Sequence, residues 1–296
     1  MKIETINYLK KLLGKDGSMV GIYRLFKFVP DKIYLKIMFR LRMGYRLNLK
    51  RPVTFNEKLQ YLKLYDRKVE YTAMVDKLTA SDYVRERCGD EINFIKILGV
   101  WDRFDDIDFS KLPERFVLKC NHNSGNVIVC KDKNNFDKQD AKRRLDFSVR
   151  YNYYPAMREW PYKNVKPKIM AEEYIEDSNG QLPDYKIFTF DGQPKLVYVR
   201  GSNKDGMFGD YFDINGNHLD IVADYPNAPE IPVIPKEIKK MAELASKLSE
   251  GMKELRVDFY DVNGKIYFGE LTFYHDGGFA PFSKEWDKKL GDLINL

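Results

Sequence analysis

The chain has 296 residues, of which 44% are hydrophobic and 32% are charged, enough to bury a core in one large domain or two modest ones. No apolar run approaches the roughly 20 residues that cross a bilayer, and the first residues lack the basic-then-apolar order of a secretion signal. Cys88, Cys120 and Cys130 are odd in number and follow no metal-binding spacing, which fits a protein of the reducing cytoplasm.

The net charge of +6 is unevenly distributed along the chain. Residues 1–51 carry 13 Lys and Arg against three acids, a balance of +10, so the remaining residues sum to −4. A basic end on a mildly acidic body suggests an anionic partner. We do not expect nucleic acid to be that partner, because no nucleic-acid-binding motif accompanies the basic end.

The first 90 residues show helical patterns. Over residues 31–49, apolar side chains recur on one side (Ile33, Ile37, Met38, Leu41 and Tyr45) and basic ones on another (Lys32, Lys36 and Arg40). Such a helix can lie on an anionic membrane or bind an acidic polymer, but it more often packs on its own domain, which we favour.

Two more helices are expected in this region. The sequence Thr54-Phe55-Asn56-Glu57 is a capping box that predicts a second helix through Tyr65. A third helix is predicted near residues 71–87, and it would contain Lys77.

Beyond residue 90 the pattern changes to mixed strands and helices. Strands are predicted at 94–98, 115–120, 126–130, 168–175, 184–190 and 196–200, and helices at 138–158 and 235–251. Several of the strands form hairpins, so the sequence predicts an α+β architecture.

The most informative segment is a hairpin in which strand-like runs at 255–260 and 267–272 flank an Asn-Gly turn signal. A two-residue turn would place Asp258 opposite Gly269 and send Glu270 to the other face. A three-residue loop would instead pair Arg256 with Glu270. It would then put Arg256, Asp258, Glu270 and Thr272 on one face, where they suit Mg²⁺ carrying a polyphosphate.

Further residues could handle a phosphate or a nucleotide. Lys119 ends an apolar strand and precedes the polar loop 121–126, whose backbone N–H groups could cover phosphate oxygens. This loop lacks the Gly-Lys-Ser/Thr ending of a Walker motif. The strand 168–175 ends in acids that could accept hydrogen bonds from a base or a ribose, and the segment 184–186 adds a further acid and cation.

Taken together, the order of these elements resembles the ATP-grasp superfamily. Three segments are similar to its TupA-like branch: TFNEKLQ at 54–60, REWPYKN at 158–164 and GELTFY at 269–274. The branch is associated with teichuronopeptide and other surface-polysaccharide biosynthesis, and the likeness covers about residues 50–285.

The resemblance implies an ATP-grasp fold, in which ATP lies between two α+β subdomains. A basic, mainly helical region would occupy residues 1–75 and the ATP-grasp domain residues 76–296. Within that domain we expect a lid subdomain at about 115–175 and a metal-binding subdomain at about 176–296.

The resemblance also implies a role for each matching residue. Lys77 and Lys119 would contact the phosphates, and Ser124 and Gly125 would belong to a mobile lid over them. Adenine would be held by Glu172, Glu173 and Ile175, and ribose by Asp184 with Lys186 nearby. The metal ligands would be Asp258, Glu270 and Thr272, the last at a position where many ligases have Asn. The proposed catalytic residues are Arg256, Lys119 and Arg200, and the proposed substrate residues are Arg158, Trp160, Arg200, His275 and Gly277.

Two of these substrate assignments have an open alternative. Arg158 and Trp160, together with three neighbouring tyrosines, could stack on sugar rings and pair with carboxylates. They could equally be core residues at helical spacing.

The implied activity is that of an ADP-forming carboxylate–amine ligase that uses ATP and one or two Mg²⁺ ions and forms an amide through an acyl phosphate. Its substrates would be a small amino acid or amine and an anionic, uronic-acid-containing surface polysaccharide or its precursor. We expect it in the cytoplasm, with peripheral contact at the inner face of the membrane as an open option.

Two other functions remain to be separated from this one. A nucleotide-sugar glycosyltransferase would also use Mg²⁺ and acids, but Asp106-Ile107-Asp108 falls in an expected loop and no nucleotide-binding βαβ unit precedes it. A non-catalytic glycan-binding protein on an ATP-grasp scaffold is the second alternative, and the intact polar set argues against it: Lys119, Arg256, Asp258 and Glu270.

Overall fold

The computed structural model describes residues 28–152, 154–203 and 206–296. Its helices are α1 (Asp31–Met43), α2 (Phe55–Tyr65), α3 (Glu70–Val75), α4 (Ala80–Cys88), α5 (Lys138–Val149), α6 (Tyr154–Met157), α7 (Ile238–Leu248) and α8 (Lys284–Asp292). Its strands are β1 (Ile97–Trp101), β2 (Phe116–Cys120), β3 (Ile128–Cys130), β4 (Ile169–Glu173), β5 (Asp184–Phe190), β6 (Gln193–Asn203), β7 (Gly206–Asp213), β8 (His218–Leu219), β9 (Glu254–Val262) and β10 (Lys265–Thr272). The expected α+β class is confirmed.

The strands form two antiparallel sheets. The smaller sheet has the order β1-β4-β2-β3, and the larger has the order β10-β9-β5-β6-β7-β8. The smaller sheet includes β1. This strand precedes residue 115, at which the sequence placed the start of the lid subdomain. Each sheet has its own hydrophobic core, with α5 packed on the smaller sheet and α7 on the larger.

Helix α1 packs on its own domain, as favoured from the sequence. Leu35 and Phe39 are fully buried, and the helix ends at Gly44 in the left-handed conformation. The predicted apolar side is partly wrong, because Ile33 and Ile37 are exposed rather than packed on the body.

Helix α2 begins with the predicted capping box. The Thr54 hydroxyl accepts a hydrogen bond from the Glu57 amide at 3.3 Å, and the Glu57 carboxylate accepts one from the Thr54 amide at 3.4 Å. Asn56, the second residue of the helix, donates its backbone N–H to Asp287 of α8 at 2.9 Å. The N-terminal helices are thereby tied to the end of the chain.

Two helices predicted as continuous are each divided. The helix expected near 71–87 is interrupted by residues 76–79, and the helix expected at 138–158 stops at Val149. The first interruption carries Lys77 out of the helical surface, which is what lets its side chain reach the larger sheet.

None of the helices in the described part of the chain combines the length and apolar character needed to traverse a bilayer.

Candidate functional site

The β9–β10 hairpin has the two-residue turn of the first alternative, but its acids share one face as in the second alternative. Lys265 pairs with Val262, so the turn has two residues, with Asn263 and Gly264 at φ of 54° and 80°. A bulge between Phe268 and Glu270 then shifts the register by one residue.

Because of the bulge, the side chains of Asp258 and Glu270 lie on the same face of the hairpin. Glu270 pairs with Asp258, and Thr272 pairs with Arg256. The expectation that Arg256 pairs with Glu270 is therefore wrong. The expectation that the four polar residues share one face is supported by their hydrogen bonds.

Arg256 is the centre of this polar cluster. Its Nε donates to Asp258 Oδ1 at 2.7 Å, and its Nη2 donates to Asp258 Oδ2 at 2.8 Å. The same Nη2 reaches Thr272 Oγ1 at 3.0 Å and Glu270 Oε1 at 3.3 Å. Nη1 donates to His275 Nδ1 at 2.9 Å, so that imidazole nitrogen is an acceptor and carries no proton.

The electrostatics of the cluster keep Glu270 charged. Burial raises the pKa of Glu270, but the positive charges of Lys77, Arg256 and Lys186 outweigh it and hold the pKa at about 2. Burial, reinforced by the positive charge of Arg256, lowers the pKa of His275 to about 4. At neutral pH the site therefore contains a carboxylate at 270 and an uncharged imidazole at 275.

Strand β5 adds a cation and an acid next to β9. Lys186 lies opposite Asp258 in the sheet and donates to its Oδ2 at 3.0 Å, and it also contacts Asp184. Burial raises the pKa of Asp184 even though Lys186 opposes the shift. This arrangement places Lys186 between the carboxylates of Asp184 and Asp258.

Lys77 connects this cluster to the smaller sheet. Its Nζ donates to the backbone carbonyl of Asn123 at 2.9 Å and lies 3.5 Å from Glu270 Oε2. Lys119 of β2 forms an ion pair with Glu172 of β4. Both lysines therefore line the space between the two sheets.

The loop predicted as a lid has a fixed base and an exposed tip. Asn121 donates to Asp76 Oδ1 at 2.8 Å and accepts from the Lys168 amide at 2.7 Å, and the His122 ring lies 3.0 Å from the Tyr151 carbonyl. Residues 124–127 are exposed. Part of the tip is also anchored, because Asn126 donates to the Ser148 hydroxyl at 2.9 Å and the Val127 carbonyl accepts from Arg144 at 3.3 Å. Ser124 and Gly125 form the exposed start of the tip.

A central cavity of about 310 Å³ lies between the sheets. It collects residues that the sequence assigned to phosphate, ribose, metal and substrate: Lys77, Lys119, Ser124, Gly125, Asp184, Lys186, Arg200, Arg256, Asp258, Glu270 and His275. Two further cavities share walls with it.

The first of these, the adjoining cavity, has a volume of about 410 Å³ and shares Lys77 and Lys119 with the central cavity. Glu172 and the apolar side chains of Ile97 and Phe268 line it, together with Arg85 and Lys96, so apolar side chains and one carboxylate lie among cations. The second, the distal cavity, has a volume of about 330 Å³ and contains Thr272 and Gly277.

Four predicted residues line none of these cavities. Glu173 is exposed at the end of β4, and Ile175 follows it. Arg158 is 2% exposed and sits 3.3 Å from Asp31, so the expectation that it contacts substrate is wrong. Trp160 stacks against Arg67 instead, with 5.1 Å between the guanidinium carbon and the ring centre.

Sequence reasoning missed several residues that line the cavities. Asp276 has a left-handed backbone, with φ of 47°, and it stands beside the Gly277-Gly278 pair, a turn signal that could have drawn attention to it. Asp224 and Glu159 carry no local signal, because their position depends on long-range packing.

The oxygen donors at the hairpin suit Mg²⁺ bound together with a substrate. Among residues 28–152, 154–203 and 206–296 no group of three or more His, Cys, Asp or Glu side chains is arranged to hold a metal alone. Mg²⁺ commonly uses one or two carboxylates together with water and substrate phosphates. Asp258 and Glu270, paired across the hairpin beside Lys77 and Lys186, fit that requirement.

A family model described as TupA-like ATPgrasp matches residues 57–295. No curated protein is significantly similar to the chain.

Several solved structures are similar to the chain at low identity. They include a D-alanine–D-alanine ligase from Bacillus anthracis complexed with ATP (15% identity, 68% of this chain and 54% of that one, TM-score 0.39). An L-amino acid ligase from Bacillus licheniformis matches with 14% identity, 83% and 56% coverage and a TM-score of 0.46. The ATP-grasp ligase PsnB, complexed with a minimal precursor, Mg and ADP, matches with 11% identity, 84% and 64% coverage and a TM-score of 0.39. The match thus spans little more than half the length of the first two ligases.

Proposed function

The chain belongs to the TupA-like ATP-grasp family, and on that premise we propose that it is an ADP-forming carboxylate–amine ligase that uses ATP and Mg²⁺. The observation that carries the proposal is the convergence of Arg256, Asp258 and Glu270 on one wall of the central cavity, with Lys77 3.5 Å from Glu270 and Lys119 also in the lining. Cations and carboxylates lining one cavity are what a metal-bound polyphosphate requires.

Three lysines would hold the triphosphate. Lys119 approaches from the smaller sheet and Lys186 from the larger one, while Lys77 lies between α3 and α4 and contacts both Asn123 and Glu270. Each supplies a point charge that offsets the negative charge of the phosphates. The exposed tip around Ser124 and Gly125 would cover them and exclude water from a reactive intermediate.

The base and ribose would extend into the adjoining cavity. Its wall includes the apolar side chains Ile97 and Phe268, against which a flat base could pack, and Glu172 could accept a hydrogen bond. Asp184 lines the central cavity and not the adjoining one, so it would lie beside the phosphates instead of the ribose.

Asp258 and Glu270 would hold the Mg²⁺, with Thr272 as a further oxygen. When bound, the metal supplies charge neutralisation for the transferring phosphoryl group. Arg256 would then stabilise the charge that develops on the phosphoryl oxygens, because its guanidinium already lies between both carboxylates.

The chemistry converts a carboxylate into an acyl donor. A carboxylate oxygen attacks the γ-phosphorus, the bond to the β-phosphate oxygen breaks, and ADP leaves with the electron pair. An amine then attacks the acyl carbon and displaces phosphate to give the amide. This two-step reaction needs no nucleophilic side chain from the protein.

The proposed substrate pair is a small amino acid or amine and a uronic-acid-containing glycan or its precursor. One supporting observation is a basic groove of about 480 Å³ on α1 and the following loop, lined by Lys36, Ile37, Arg40, Leu41, Arg46 and Leu47. An anionic glycan complements such a surface. We place the reaction in the cytoplasm, close to the inner face of the membrane.

The test is ADP release with Mg-ATP, measured over amino acids and amines combined with glucuronate and glucuronate oligosaccharides. A ligase releases ADP and phosphate only when both partners are present, and an amide product is then detected by mass spectrometry. Hydrolysis or transfer from a UDP-sugar without ATP consumption would support the glycosyltransferase alternative instead.

A further inference from the structure

The distal cavity shares a wall with the central cavity but is chemically different from it. Ser124, Arg256 and Glu270 belong to both, so a group held in the distal cavity would lie next to the position proposed for the transferred phosphoryl group. Aromatic side chains Tyr274 and Phe279 form part of its floor.

A buried carboxylate without a partner lines this cavity. Glu159 is 5% exposed, yet no side chain or amide in the described segments donates a hydrogen bond to it or pairs with it within 4.0 Å. The nearest cation is Lys63, whose Nζ donates instead to the Gln60 side chain at 3.2 Å and to backbone carbonyls of Met157 and Gly277. Burial raises the pKa of Glu159 to about 7. A buried acid with no donor is the kind of group that a cationic ligand would satisfy.

Two more carboxyl groups meet where the cavities join. Asp224 and Asp276 line both cavities and hydrogen-bond to each other. Both are partly exposed in the cavity wall and partly buried, so a ligand can reach them. Two carboxyls in contact share a proton or a cation because their negative charges repel.

We propose that the distal cavity is the amine site of the ligase, in which Glu159, Asp224 and Asp276 bind the substrate's ammonium group and the Asp224–Asp276 pair takes its proton. This inference rests on the ligase function proposed above. It names the chemical class of the second substrate as a small primary ammonium compound.

The ammonium group gives one proton to the Asp224–Asp276 pair, and the freed nitrogen lone pair forms the C–N bond at the acyl carbon. The C–O bond to phosphate breaks with its electron pair on oxygen, and the second proton of the nitrogen goes to the departing phosphate.

The charges around the pair set the pH dependence. Burial and the contact with Asp276 raise the pKa of Asp224 to about 7, while Arg200 of β6 opposes the shift. Asp276 also faces His275 and Arg256. Below that value the pair holds a proton and cannot accept another, so amide formation is expected to rise as the pH increases through about 7.

Hydroxylamine separates this step from the earlier ones, because it is uncharged at neutral pH and needs no base before it attacks. Hydroxamate and amide formation are compared for the wild type and for D224N and D276N, with glucuronate or L-glutamate as carboxyl donor and L-alanine, L-lysine or glucosamine as amine. Asn is suited to the left-handed backbone at 276. D220N, at an exposed acid of the same loop, is the matched control.

The expected result for D224N is a loss of amide formation of about a hundredfold or more at pH 7.5, with hydroxamate formation within about threefold of the wild type. Its remaining amide formation should lose the rise through pH 7, and E159Q should raise the KM for the amine. Equal losses with both nucleophiles, or none with either, would overturn the inference while leaving the ligase intact. A wild type that forms no hydroxamate with any donor would remove the ligase function and the inference together.

Discussion

Arg256 donates hydrogen bonds to four side chains, and three of them are groups that the proposed reaction requires: Asp258, Glu270 and Thr272. A bidentate guanidinium–carboxylate contact fixes both partners in one geometry. The fourth partner, His275, is held in one tautomer by the same residue. One buried residue thus sets the orientation of the carboxylates that would carry the metal.

Replacing one of these carboxylates tests their role directly. D258N keeps the shape of the side chain but removes the negative charge between Arg256 and Lys186. We expect ATP turnover to fall by about 10²–10³-fold, with a higher Mg²⁺ concentration needed for half-maximal rate. Steady-state ADP release over a Mg²⁺ titration measures both effects.

The matched control for that variant is D261N, on the same strand but at its far end, where the side chain accepts from the Gly264 amide in the turn. It should retain the wild-type rate and Mg²⁺ dependence. Wild-type turnover by folded D258N would rule out a metal-binding role for Asp258.

Glu254 gives a separate prediction about stability. It is 3% exposed, and burial raises its pKa to about 8, although the Tyr274 amide and Arg256 oppose the shift. Ionising a group whose folded-state pKa is raised costs stability. The penalty is absent below the unfolded-state value near 4.5 and grows until the pH reaches about 8.

E254Q keeps an acceptor for the Tyr274 amide and cannot ionise. Its free energy of unfolding should match that of the wild type near pH 4.5 and exceed it increasingly up to pH 8, by about 1 kcal/mol or more per pH unit. Urea denaturation at pH 5 and pH 8 measures the difference, with E250Q at an exposed position as control. An E254Q advantage that is the same at both pH values would contradict the raised pKa.

At the level of secondary structure, the sequence predicted elements well where the signal was local. The capping box at Thr54 and the Asn-Gly turn at 263–264 both formed, because each depends on residues within four positions. The breaks at 76–79 and after Val149 were not predicted. Contacts with distant elements fix them, such as the hydrogen bond from Asn121 to Asp76.

Residues of the candidate site were likewise predicted where the signal in the sequence was local. Residues on regular strands, such as Asp258 and Glu270, were predicted from alternation along the chain. The bulge that brings them together was not, because a single Gly269 in a strand gives only a weak signal. Asp224 and Glu159 could not be predicted, since only the packing of separate segments brings them to one cavity.

Gly269 tests how much the site depends on the bulge. A Cβ at this position would lie 2.8 Å from the Asp258 carbonyl oxygen, a contact that requires the backbone to move. We expect G269A to disturb the pairing of Glu270 with Asp258 and to lower ATP turnover by at least tenfold, while the larger sheet still folds.

The measurement is ADP release together with thermal unfolding, with K265A at an exposed position of the same strand as control. Activity should fall much further than stability in G269A and should be unchanged in K265A. A G269A protein with full activity would show that the bulge does not set the site.

At the scale of the whole molecule, three parts of the chain meet at Lys77. The residue lies between α3 and α4, hydrogen-bonds to Asn123 at the base of the lid loop, and lies 3.5 Å from Glu270 on the larger sheet. Each sheet has its own core, and Lys77 contacts Asn123 on one side and Glu270 on the other. We therefore expect Lys77 to link nucleotide binding to the position of the lid.

This link predicts how the lid responds to nucleotide. In the wild type, Mg-ATP should slow hydrogen–deuterium exchange in residues 121–130, because the exposed tip at 124–127 would close over the phosphates. K77M should weaken ATP binding by about tenfold or more through loss of one charged contact. It should also speed exchange at the base of the loop without nucleotide, because Asn123 loses its donor. K239M, at an exposed lysine of α7, should behave as the wild type. Exchange of 121–130 that ignores Mg-ATP in the wild type would refute the lid, whereas normal protection in K77M would refute only the link through Lys77.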